Sequence, residues 1–126
     1  MKTTNESSED YLEQILMLNE EGNTSVHAID IANAMGFSKA SVSIALKKLE
    51  DSGYVILGDK QVLTLSEKGK EIASKIYQRH KIIGSFFISL GVDKDIAYKD
   101  ACKIEHDLSD ETFDALKKAY LESQNH

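Results

Sequence analysis

Proline and tryptophan are both missing from the 126 residues, and cysteine occurs once, as Cys102. With no proline to remove an amide donor or clash with a preceding turn, the spacing predicts uninterrupted helices joined by tight turns. One thiol cannot form an internal disulfide, which fits a reducing cytosol. Long apolar runs are absent too. The most apolar stretch, Ile82 to Val92, spans 11 residues and includes Ser85, Ser89 and two glycines. That is too short to cross a bilayer. The polar, acidic start from Met1 to Asp10 does not read as a secretory signal, so the expected location is the cytoplasm and no membrane partner is expected.

Basic residues are in deficit, 15 Lys and Arg against 21 Asp and Glu, for a formal net charge of −6. Taken whole, that balance argues against non-specific nucleic-acid binding. Divided along the chain, it says something else. Residues 1–37 carry one Lys against seven acids, residues 38–81 nine basic residues against five acids, and residues 82–126 five against nine. A basic centre lies between two acidic ends.

Apolar periodicity places a first helix over residues 7–20, capped by Ser7 or Ser8, with Tyr11, Leu12, Ile15, Leu16 and Leu18 as its stripe. A second helix is expected from Ser25 to Met35, with Ile29, Ile31, Ala32 and Met35 facing inward. Gly36 breaks the chain, and Ser38 caps a third helix to about Ser52 whose inner face is Val42, Ala45, Leu46 and Leu49. The period then changes from helix to strand. Residues 54–57 and 61–65 read as a hairpin around Gly58-Asp59-Lys60. Helices over about 67–90, 94–107 and 109–123 complete the chain.

Helix, glycine turn, helix and hairpin is the order of a winged helix-turn-helix. The fold class expected is mainly α: an N-terminal winged helix-turn-helix of three helices and a two-stranded wing, residues 1–66, then a helical domain, residues 67–126. Small Ala32 suits a close helix crossing, and Phe37 and Val42 are expected to plug it. The third helix presents its outer face to a DNA major groove. Ser38, Lys39, Ser41, Ser43, Lys47 and Lys48 are the DNA-binding candidates there, with Lys60 reaching phosphate from the wing. The competing possibility is a protein-contact winged helix with solvated lysines. The concentration of positive charge in residues 38–81 favours DNA.

Cys102, Glu105 and His106 fall at i, i+3 and i+4, so a helix would project thiolate, carboxylate and imidazole from one face. That donor set suits a divalent first-row metal, although a half-buried cysteine beside exposed Glu and His is also a common accident. Asp10 and Glu13 form a second i, i+3 pair, with Asp10 equally able to favour a helix N-terminus. His80 reads as a ligand or a surface histidine. His27 and His126 read as surface residues, His27 within reach of phosphate.

Together, Glu9-Asp10-Tyr11-Leu12-Glu13-Gln14, the winged unit, Arg79-His80 and Ala101-Cys102-Lys103-Ile104-Glu105-His106-Asp107-Leu108-Ser109 resemble the diphtheria toxin repressor and manganese transport regulator family. The likeness spans about residues 8–121. It implies a metal-dependent, homodimeric transcriptional repressor whose N-terminal domain binds palindromic operator DNA and whose later helices hold the dimer interface and metal. The matching ligands are Asp10, Glu13, His80, Cys102, Glu105 and His106, bound to Mn(II) or Fe(II), with Co(II) and Zn(II) as substitutes in vitro. Asp10 matches the manganese branch, whereas Cys102, by side chain or backbone carbonyl, matches the iron branch. An ancillary site of the iron branch uses His and Glu where this chain has Tyr98 and Gly84.

The resemblance implies that a divalent co-repressor offsets repulsion among Asp10, Glu13 and Glu105, ties the first helix to the fifth, and sets the spacing of the two reading heads. Recognition helices must meet half-sites about 34 Å apart, or a multiple. Ile82, Ile83, Phe86, Phe87, Leu90, Phe113, Leu116, Tyr120 and Leu121 exceed what one small bundle needs, which points to a dimer. An enzyme using Cys102 with His106 or His80 lacks an oxyanion loop and a third orienting residue. No catalytic residue and no small-molecule substrate are expected. A metal-independent winged-helix regulator with an organic effector is the alternative.

Overall fold

The computed structural model describes residues 6–125. Six helices and one hairpin follow in order: α1 Glu6–Glu20, α2 Ala28–Met35, α3 Lys39–Asp51, β1 Val55–Leu57, β2 Leu63–Leu65, α4 Glu67–Ser89, α5 Lys94–Ile104 and α6 Asp110–Gln124. This is the expected mainly helical architecture with a winged helix-turn-helix. The chain divides into two compact units, Met1–Lys75 and Ile76–His126. The division falls inside α4, because the start of α4 packs in the first unit. Ala73 joins that unit's core, and a Cβ on Gly69 would run into the Tyr54 carbonyl.

In the first unit, Leu12 and Ile15 of α1 pack with Ile31, Val42, Leu46 and Val55. Gly36 ends α2 at φ 71, the left-handed geometry that a residue lacking Cβ adopts at little cost. Ser38 caps α3 by accepting from the Ser41 amide at 3.2 Å, as its position predicts. The strands pair antiparallel with Val55 opposite Leu65 and Leu57 opposite Leu63.

Four local expectations are corrected here. The second helix begins at Ala28, not Ser25, because Val26 is drawn into an antiparallel bridge with Leu63 and is fully buried. His27 is therefore the N-cap, its amide donating to Asp30 Oδ2 at 2.9 Å. Ile29 is 46% exposed instead of inward, and Phe37 leaves the interhelical core to Val42 and lies edge-on to Tyr11 at 6.2 Å. Ser7 and Ser8 lie within the first turn of α1, which already includes Glu6.

In the second unit, Ile83, Ala101 and Phe113 form a small core flanked by Ile82, Phe87 and Leu116. Ser109 caps α6 through the Thr112 amide at 3.1 Å. The apolar residues expected at a dimer face are thus divided: Ile83 and Phe113 are buried in this core, whereas Leu90 is 66% exposed and Leu121 46%. No helix among the described residues is long and apolar enough to cross a membrane.

Candidate nucleic-acid interface and metal centre

In the first unit, α3 and the hairpin tip flank a cleft of about 480 Å³ whose lining includes Lys39, Ser43, Lys47, Lys60, Gln61 and His27. All seven residues expected to meet DNA (Ser38, Lys39, Ser41, Ser43, Lys47, Lys48 and Lys60) are exposed. Their chemistry differs. Ser38 Oγ, besides accepting from the Ser41 amide, donates to Ser41 Oγ at 3.0 Å, so its hydroxyl proton is held within the cap. Lys47 Nζ lies 3.3 Å from Asp51 and 3.7 Å from Glu50. The hydrogen bond and charge of Asp51, aided by Glu50, hold the ammonium above its ordinary pKa, so Lys47 stays cationic but partly neutralised.

The wing tip departs from a simple two-strand hairpin. Strand pairing stops at Leu57 and resumes at Leu63, and a short turn spans Asp59–Gln61 with Lys60 at φ 58 and Gln61 at φ 65. His27 Nε2 donates to the Lys60 carbonyl across 3.1 Å. The histidine expected on the surface is therefore half-buried, with one ring nitrogen bracing the wing. Its link to residue 60 spans 33 positions, so no local pattern foretells it. Ala40, Ile44 and Gln61, all exposed on this face, are further candidates that charge-based reading passes over.

In the second unit, the donor cluster is built around the end of α5. That helix stops at Ile104, not Asp107, and Glu105 serves as its C-cap. Glu105 itself keeps helical dihedrals, φ −61 and ψ −27, so it still follows Cys102 by about one turn. Cys102 is exposed, while Glu105 and His106 are buried. Cys102 Sγ and a Glu105 carboxylate oxygen nevertheless lie within 4.8 Å.

Glu105 anchors the arrangement. Its Oε2 accepts from His80 Nδ1 at 2.9 Å, and its Oε1 lies 3.5 Å from His106 Nε2. Oε1 accepts no hydrogen bond among the described residues. A carboxylate taken out of water is costly unless a cation or donors compensate it, so a buried oxygen of this kind fits a cation ligand. Carboxylate, imidazole and thiolate in one cluster form the mixed donor set suited to a divalent first-row metal. In the first unit, Glu13 is also buried and Asp10 half-buried on α1.

Two residues outside the expected set hold this cluster. Arg79 is 3% exposed; its Nη1 donates to the carbonyls of Glu105 at 3.0 Å and Leu108 at 2.5 Å, and its Nη2 to Asp110 at 2.7 Å. It thereby satisfies carbonyls that the end of α5 leaves unpaired. Tyr98 stacks on His80, ring centroids 5.2 Å apart, where the resemblance places an ancillary ligand.

Comparison with known proteins decides the family. Residues 3–63 match the family model "Iron dependent repressor, N-terminal DNA binding domain", and residues 66–124 match "Iron dependent repressor, metal binding and dimerisation domain". The HTH-type transcriptional regulator MntR of Bacillus subtilis (strain 168) is 37% identical over 113 residues, covering 90% of this chain and 79% of that protein. The chain belongs to the iron-dependent repressor family.

Within that family, an HTH-type transcriptional regulator of Methanocaldococcus jannaschii is 40% identical over 113 residues, 89% of this chain and 90% of that protein. The solved structure of the manganese regulator SloR superposes with a TM-score of 0.78 at 31% identity, covering 88% of this chain and 52% of the other. A manganese-dependent transcriptional repressor solved with manganese gives a TM-score of 0.81 at 26% identity, covering 90% and 52%. The chain thus spans about half the length of these two solved structures. The matched architecture is that of metal-dependent transcriptional repressors, a family of DNA-binding regulators and not of enzymes.

Proposed function

We propose that this chain is a metal-responsive repressor that binds a palindromic operator as a homodimer, with Mn(II) or Fe(II) as co-repressor, and controls metal-uptake genes in the cytoplasm. Residues 1–66 are the operator-reading domain and residues 67–126 the sensing and dimerisation domain, its site completed by α1. Asp10, Glu13, His80, Cys102, Glu105 and His106 are the metal ligands. Lys39, Ser43, Lys47, Lys48 and Lys60, with the hydroxyls of Ser38 and Ser41, meet the DNA.

The observation that carries this reading is the buried Glu105 carboxylate, held by His80 and flanked by His106, in the same chain as an exposed, lysine-bearing α3. A bound divalent ion supplies positive charge that offsets the repulsion among Asp10, Glu13 and Glu105. The carboxylates and imidazoles choose the ion and hold it, and Arg79 keeps the end of α5 in place for them. Linkage then requires metal and DNA to raise each other's affinity by one factor. Exposed Leu90 and Leu121 support a dimer face on the second unit.

The test is fluorescence anisotropy of operator binding under anaerobic conditions across Mn(II), Fe(II), Co(II) and Zn(II), beside a His106→Ala variant. Operator affinity should rise with metal in the parent protein and lose most of that rise in the variant. Equal affinity with and without saturating metal would defeat the reading in favour of a metal-independent regulator.

A further inference from the structure

Val42, Leu46 and Leu49 define the buried face of α3. At about 100° per residue, the direction opposite that face falls between Ala40 and Ile44. Both are exposed, and Ile44 reaches 61%. Lys39 and Ser43 turn from this line towards the wing cleft, which Lys47 also lines, while Ser41 and Lys48 turn to its other side, where Ile44 joins them in lining a hollow with the α1 residues Ser7, Ser8 and Tyr11. In its first two turns the outermost line of α3 therefore carries methyl groups, flanked by hydroxyls and cations, and Lys47 and Asp51 continue that line further along the helix.

An isolated exposed isoleucine is ordinary on a protein surface. This one lies in the first two turns of the helix, the part of a recognition helix that approaches base edges, and basic side chains border it on both sides. Flanking lysines fit the phosphate rails of a groove, leaving the centre for the bases. On the major-groove floor, three base types offer an apolar side chain only hydrogen-bonding groups, which it would leave unpaired. Thymine alone offers a methyl.

We infer that Ile44, supported by Ala40, reads thymine by packing on its C5-methyl group, making it a specificity-determining residue of the operator contact. This inference rests on the operator-binding reading above. Lysine contacts to phosphate supply affinity without sequence preference, whereas Ile44 supplies a preference. It adds no charge and therefore leaves the salt dependence of binding unchanged.

The probe is a duplex enriched from a random-sequence library by the full chain with MnCl2, then resynthesised with single thymines replaced by uracil, which deletes only the methyl. At one thymine in each half-site, the uracil duplex should bind the parent protein about fourfold more weakly. Ile44→Ala should bind the thymine and uracil duplexes equally, and Ile44→Val should fall between. Lys39→Ala should weaken both duplexes alike and keep their ratio. Ile44 is exposed, so these variants leave the core intact, and matching circular dichroism spectra verify that. If the parent and Ile44→Ala respond equally to uracil, or neither responds, the inference is wrong and operator binding stands. If no sequence is enriched at all, the operator-binding reading itself fails.

Discussion

Gly84 leaves the space that the Tyr98 ring occupies. A Cβ built on Gly84 would enter the ring, and the same ring stacks on His80. Tyr98 and Gly84 are the two positions at which the iron branch of the family is expected to carry an ancillary site. Here they form a packed aromatic contact against His80, a proposed metal ligand. Gly84→Ala should therefore cost about 1–3 kcal/mol, the usual range for overpacking a filled site. Urea unfolding checks this, and Gly84→Ala combined with Tyr98→Ala should recover part of the loss.

Arg79 gives a second prediction. Replacement by Met preserves much of the side-chain length but removes donors from the Glu105 and Leu108 carbonyls, leaving buried acceptors unmet. The expected loss is about 3 kcal/mol, read by thermal unfolding, with faster amide exchange at the end of α5. Asp110→Asn should cost under about 1 kcal/mol, because Asp110 is 63% exposed and the carbonyl contacts of Arg79 survive. Equal losses in the two variants would show that the ion pair, not the carbonyl clamp, is what holds Arg79.

Charge compensation on α3 separates lysines that look alike in the sequence. Lys47 is partly neutralised by Asp51 and Glu50, whereas Lys39 makes no ion pair among the described residues. Lys39→Ala should lower the slope of log affinity against log salt by about one, and Lys47→Ala by less. Asp51→Asn should strengthen binding to random-sequence duplex. Titrations at several salt concentrations measure all three.

Cys102 gives a prediction about metal choice. It is exposed, and its sulfur lies within 4.8 Å of a Glu105 oxygen. Thiolate favours Fe(II), Co(II) or Zn(II) over Mn(II). Cys102→Glu should shift half-maximal activation of operator binding to lower Mn(II) and higher Fe(II). An unchanged ratio would remove the sulfur from metal selection. Peroxide should impair the parent protein and spare the variant, since an exposed thiolate is open to oxidation.

Local signals were legible where one residue and its near neighbours decide the outcome. Ser38, Gly36 and Ser109 behave as caps and terminators because capping bonds reach only two or three residues along the chain. The second helix starts at Ala28, later than its local period suggests, because Val26 answers to Leu63, far away in sequence. The pattern through His106 is helix-compatible, yet α5 stops at Ile104, and the Arg79 clamp on the Glu105 and Leu108 carbonyls accompanies that early stop. Ile29 and Ile44 show the same limit, since apolarity does not reveal which side of a helix lacks a neighbour.

The sequence by itself determined the order of elements, the acid–base–acid division of charge, and the types of donor available, because all three are properties of composition and short-range period. Only the tertiary structure decided that Glu105 and His106 are buried while Cys102 is exposed, that His27 braces the wing, and that Ile44 stands at the front of α3. Burial and hydrogen-bond partnership depend on which distant segments pack together, and no residue carries that information alone.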